Sequence, residues 1–190
     1  MPRFAWAAWG LLVVVLDLPL AGWDVLPDLV GYVWLFIGLA GGPLLHPGFA
    51  RARAAALVGI PVSVITGTPF TDHQTGVEWG AAFAGILVNV VVLHQLGTAI
   101  RDLDPVEGDS DQRRWANGIR IAAPIAGGIQ LVGLVLISTV LAVLYVLGLL
   151  ALVIVGIIAV VLLHRVNRAG WLAEMTPPAP PAEPTTPATA

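Results

Sequence analysis

Residues 121–163 run from Ile121 to Leu163 without one charged side chain. As a single helix this stretch would be about 65 Å long at 1.5 Å per residue. A bilayer core is only about 30 Å thick, so the stretch has to fold back on itself. Its most polar point, Ser138-Thr139, is the expected turn. That gives spans near residues 119–138 and 142–163, with Tyr145 and Gly148 marking where the turn would fall if shifted.

Four further stretches approach the roughly 20 apolar residues a crossing needs: residues 4–22, 29–45, 54–70 and 79–100. The chain is 57% hydrophobic and 11% charged, where soluble domains carry about 25% charged residues, so lipid is the expected solvent. The expected fold is all-α: an integral membrane helical bundle of six transmembrane helices in one domain, residues 1–171. The Pro-, Ala- and Thr-rich residues 172–190 read as a disordered cytoplasmic tail, too poor in apolar bulk to offset its ordering entropy. The first span follows Arg3 as a signal peptide would, but no A-x-A-like cleavage site succeeds it, so it is expected to stay uncleaved.

Charge placement orients this count. All nine basic residues are arginines. With the N- and C-termini cytoplasmic, Arg3, Arg51, Arg53, Arg101, Arg113, Arg114, Arg165 and Arg168 fall in inside segments, and Arg120 lies at the mouth of the fifth span. The opposite side receives Asp17, Asp24, Asp28, Asp72 and Glu78 and no arginine. Such a division follows the positive-inside rule.

The acids on the outer side are the first candidates for a site. Asp28 stands just before the second span, where an N-cap role is expected. Thr75-x-x-Glu78 has the capping-box pattern, and Asp72, His73 and Glu78 together form the alternative, a divalent-cation site. Asp17 follows an apolar run directly, and an ionisable group at membrane depth is a functional candidate by default. The plainer account ends the first helix at Pro19 and leaves Asp17 among the headgroups.

Within the membrane, Asn89 and Gln130 fall near mid-span at similar depth, so a mutual or shared hydrogen bond is expected, with a polar permeation path as the alternative. His94 and Gln95 are rotated from Asn89 by about 140° and 240° around a helix, which argues against a single proton wire. Small residues spaced four apart, Gly38 with Gly42, Gly80 with Ala84, Ala81 with Gly85 and Ala123 with Gly127, allow close helix approach. They also offer faces for a homo-oligomer or a membrane-protein partner. Pro61 and Pro124 are possible kinks.

The loop "RDLDPVEGDSDQRRW" lacks the EF-hand pattern and reads as a connector in which Asp109 or Ser110 caps the next helix. With no cysteine there is no disulfide, thiolate metal site or thiol catalysis. Walker, H-E-x-x-H and G-x-S-x-G motifs are missing, and no lysine exists to form a Schiff base. No catalytic residue, cofactor or metal is expected, and no basic cluster points to nucleic acid.

The stretch "DVLPDLVGYVWLFIGLAGG" resembles that of a loose group of uncharacterised small multi-spanning bacterial membrane proteins carrying an LPDxxGY-like turn before their second span. The resemblance implies a location in the bacterial inner (cell) membrane and no activity. On these grounds the chain is expected to be a non-enzymatic multi-pass protein with a structural, scaffolding or regulatory role. The alternative is a small transporter or channel with a polar path near Asn89 and Gln130.

Overall fold

The computed structural model describes residues 4–16, 25–66, 76–104, 110–135 and 139–169. Among them the chain forms six α-helices and no strand: α1 (Phe4–Val15), α2 (Val25–Gly38), α3 (Pro47–Thr66), α4 (Gly76–Leu103), α5 (Asp111–Val135) and α6 (Thr139–Ala169). A 3-10 turn, Gly42–Leu44, joins α2 to α3. Four segments are long and apolar enough to cross a membrane: Pro47–Thr66, Trp79–Leu103, Asp111–Val135 and Val143–Arg168. Phe4–Val15 and Asp28–Gly38 are shorter apolar helices.

Each helix packs on its chain neighbours, and α1 returns to pack on α6, so the six close into a ring. Neighbours run antiparallel, as their glycine contacts show. Gly38 near the end of α2 lies on Ala7 at the start of α1, while Gly31 meets Val14 near the end of α1. Gly97 of α4 faces Ala116 of α5, and farther along α5 Gly127 faces Val90. The ring closes where Gly156 of α6 takes Val15 and where Trp9 stands edge-on to His164, centroids 6.0 Å apart.

The break between α5 and α6 lies between Val135 and Thr139, beside the Ser138-Thr139 pair. Other helix ends depart from the apolar spans. Helix α3 starts at Pro47, seven residues before residue 54, and carries Arg51 and Arg53 inside it. Proline suits a helix's first position because the N–H it lacks has no partner there anyway, and arginine is a good helix former. For the same reason α4 runs on to Leu103, α5 begins at Asp111 and α6 reaches Ala169. Helix α2 instead stops at Gly38, short of residue 45, and the chain passes through Gly41 into the 3-10 turn that Gly42 and Pro43 begin. Arg53 closes this end: its Nε donates to the Phe36 carbonyl at 3.2 Å, and its guanidinium lies 4.2 Å from the Phe36 ring centre.

Ser110 caps α5, its Oγ accepting from Arg113 N at 3.1 Å and donating to Asp104. The expected cap at Asp28 is corrected, because α2 begins at Val25 and places Asp28 within its first turn. There the carboxylate meets the positive end of the helix dipole without being the cap. The side chains of Thr75 and Glu78 lie outside the description, as does residue 17.

The eight described arginines lie toward one end of the ring. Between α1 and α3 at that end the Phe4 and Phe49 rings meet at a tilt, centroids 5.1 Å apart, and Leu96, Ile100, Leu162 and Val166 are fully buried, while an open apolar groove of about 310 Å³ lies between α5 and α6, lined by Trp115, Gly118, Ile119, Ala122, Val155 and Ile158. Outside the ring, Val143, Val146, Leu150, Ile154 and Val161 of α6 form an exposed apolar stripe. An exposed apolar stripe of this kind marks a surface that meets a membrane or another protein.

The α1–α2 contact is the tightest, since a Cβ at Gly38 would sit 2.2 Å from Ala7 N. We therefore expect Gly38→Val to lower stability in a denaturing-detergent titration by about 1–3 kcal/mol or more. Gly128→Ala, whose Cβ would meet nothing within 4 Å, should stay within about 0.5 kcal/mol of wild type.

Candidate functional site

Away from the arginines, the described residues of several helices converge on two pockets. Asp28 and Tyr32 are four residues apart on α2 and so share a face. Tyr32 is 3% exposed, and its ring lies over Gly59 of α3, where a Cβ would come within 2.6 Å of the ring carbons. Any larger residue at 59 would displace the ring. With the ring seated there, the Tyr32 hydroxyl donates to Asn89 Oδ1 on α4 at 2.8 Å. Ser63 of α3 is also 3% exposed and turns its hydroxyl back to the Ile60 carbonyl at 2.8 Å.

Two cavities adjoin these groups. One, of about 310 Å³, is lined by Asp28, Asn89 and Tyr145 together with aliphatic side chains, among them Leu11, Val14, Leu93 and Leu152. The other, about 180 Å³, is lined by the same Asp28, Asn89 and Tyr145 with Tyr32, Ser63 and Thr66. Asp28, Asn89 and Tyr145 therefore stand between a chamber that is mostly aliphatic and one that is mostly polar. Five of the six helices contribute; α5 does not. Hydrogen bonds between membrane helices add only about 0.6 kcal/mol on average, so stability alone is a weak reason for so many polar groups converging here.

Of the residues singled out in the sequence, Asp28 and Asn89 meet at this site. Gln130 does not. It is 4% exposed and packed on Gly148 of α6, lines neither cavity, and its Oε1 has no hydrogen-bond partner among the described residues. The expected bond between Asn89 and Gln130 is thus corrected: Asn89 turns toward α2, and Gln130 toward α6. Their depths match, but their directions around the bundle do not. Asp17, Asp72 and His73 lie outside the described residues. Among the described residues no three His, Cys, Asp or Glu side chains group as a metal site would require.

His94 and Gln95 serve elsewhere. His94 Nδ1 lies 2.9 Å from the Arg120 carbonyl, linking α4 to α5, and Gln95 Oε1 is buried without a described partner. At the arginine end, His46 Nε2 approaches Asp102 at 3.6 Å and Arg101 Nε donates to the same carboxylate at 2.8 Å. These pairs are partly exposed, and such surface pairs contribute little to stability.

The groups missed in the sequence are Tyr32, Tyr145 and Ser63. One signal was available: the chain has only two tyrosines, and both line this site.

No protein-family model, curated protein or solved structure matches the chain.

The geometry separates the two mid-span amides. A double-mutant cycle of Tyr32→Phe and Asn89→Leu should give a coupling of about 0.6 kcal/mol and at most about 1.7. Gln130→Leu should leave stability unchanged or raise it, because it removes a buried acceptor without a partner. Detergent-titration unfolding reads both.

Proposed function

We propose that this chain is a non-enzymatic, multi-pass protein of the bacterial inner membrane that binds a small solute between its helices and passes it across, a small transporter. In this reading α1 and α2 join the four longer helices as spans, giving six, with both termini in the cytoplasm. The division of charge supports that orientation: the described arginines lie toward one end, the end the positive-inside rule assigns to the cytoplasm. The polar site would then open toward the outer face.

One observation carries the solute-binding reading. Asp28, Asn89 and Tyr145, from three different helices, line both of two adjoining cavities, whereas the apolar groove toward the arginines has no charged lining residue. A bundle serving only as a scaffold would gain more by filling that space, since unfilled core volume lowers stability. Ligand pockets combine a mostly apolar wall with a few convergent polar groups, the arrangement found here.

The test is flux in reconstituted vesicles, using a panel of small cationic, neutral and anionic solutes. At least one should enter through wild type. Asn89→Leu should reduce that flux at least tenfold, the loss of about 1.4 kcal/mol, while Gln130→Leu should keep it within about twofold, since Gln130 lines neither cavity. Absence of wild-type flux for the whole panel would return the protein to a structural role.

A further inference from the structure

We infer that the groove between α5 and α6 at the arginine end is a site for one anionic phospholipid, with a hydrocarbon chain in the groove and the phosphate on Arg165 and Arg168. The inference rests on the chain spanning a membrane and is independent of the solute site.

The groove, of about 310 Å³, is lined from α5 by Trp115, Gly118, Ile119 and Ala122 and from α6 by Val155 and Ile158. The α5 residues stand at i, i+3, i+4 and i+7, so they form one strip along the helix. Around it Ile121, Ile125, Ile154 and Val161 are exposed, while Ala123, Ala126, Ala159 and Leu162 of the same two helices are buried. The groove therefore lies on the outer side of the ring, where a lipid chain would meet it.

Gly118 keeps the groove open. A Cβ there would meet nothing within 4 Å, so a larger side chain has room to fill the space. From Trp115 to Ala122 the strip is about 10 Å long at 1.5 Å per residue. About 310 Å³ over that length leaves about 30 Å² in cross-section, against about 80–110 Å² for a helix 10–12 Å across. Such a channel takes one hydrocarbon chain rather than the body of a helix.

Positive charge stands at one end. Arg165 Cζ lies 5.1 Å from the centre of the Trp115 ring, a contact that holds the cation at the mouth of the groove. Arg168 follows three residues later on the same side of α6, and both arginines are exposed. Among the described residues, the ion pairs at this end involve His46, Arg101 and Asp102, and neither Arg165 nor Arg168 has one. A guanidinium donates from the edge of its plane, so contact with an indole leaves N–H groups for a phosphate. Trp115 suits the headgroup level, where the tryptophans of membrane proteins concentrate.

The charge also selects among occupants. Basic pockets between membrane helices recognise anionic headgroups, whereas a zwitterionic headgroup brings a cation of its own. A second copy in the same membrane orientation would bring its own Arg165 and Arg168 to this end, like charge against like.

Native mass spectrometry of the full chain, released from neutral detergent, tests this with three probes. They are phosphatidylglycerol, phosphatidylcholine with the same chains, and glycerol phosphate, which has the charge and no chain. Wild type should hold one phosphatidylglycerol at least tenfold more tightly than phosphatidylcholine or glycerol phosphate. Gly118→Leu should cut that binding at least tenfold by filling the groove. Gly128→Leu, also on α5 and with open space around its Cβ but outside the groove, should bind as wild type does. Changing Arg165→Gln and Arg168→Gln together should bring the two lipids within about twofold, and lysine at both positions should restore part of the preference. The unfolding transition in detergent shows that each variant folds; if Gly118→Leu does not, the arginine pair decides. Equal binding of any two probes by wild type, or a preference that survives loss of both arginines, overturns the site. If Gly118→Leu instead abolishes a lipid-free dimer, the groove is an interface between copies and the lipid assignment falls.

Discussion

Lipid offers a backbone no hydrogen bonds, so a chain crossing it has to satisfy every N–H and C=O from within, and a helix does this with its own residues. The charge-free run of residues 121–163 shows how strong that constraint is. It has to be two helices and a turn, and α5 and α6 part between Val135 and Thr139. Once each segment is a helix, the hydrophobic effect no longer drives one helix onto another, and close packing takes over. Glycines at the α1–α2, α4–α5 and α5–α6 contacts let the backbones approach. The closed ring is the outcome, with α1 completing it against α6.

Ring closure divides the bundle into two unlike halves. Toward the arginines, aromatic and aliphatic side chains fill the interior, and the few ion pairs are partly exposed. In the other half Tyr32 rests on Gly59 and hydrogen-bonds Asn89, and the space beside them stays open. A solute bound there, as proposed, would explain why that space is not filled. Gln130 is the contrast: it is a buried amide that lines neither cavity.

Much of the fold was legible in the sequence. The absence of charge across residues 121–163 required a hairpin, and Ser110 after an acidic connector marked a cap. Helix ends were harder, because an apolar span stops at the first arginine whereas a helix does not. Arg51 and Arg53 accordingly sit inside α3. Asp28 looked like a cap because it precedes an apolar run, but Pro27 is tolerated within a first turn, where no intrahelical partner is needed for its missing N–H. Of the site, depth was readable and direction was not. Asn89 and Gln130 lie in helices that are apolar nearly all round, so no polar face showed which way each side chain turns. Tyr32 and Tyr145 carried no local signal of their own, since their convergence depends on how distant helices pack.

The central claim is that the polar site lies in the half of the membrane away from the arginines and is reached from that side. The chain has no cysteine, so a single Asn89→Cys variant reports without background. A membrane-impermeant cationic thiosulfonate, applied separately to right-side-out and inverted vesicles, measures its access. The account predicts modification in right-side-out vesicles and protection in inverted ones. Modification only from the cytoplasmic face would contradict it.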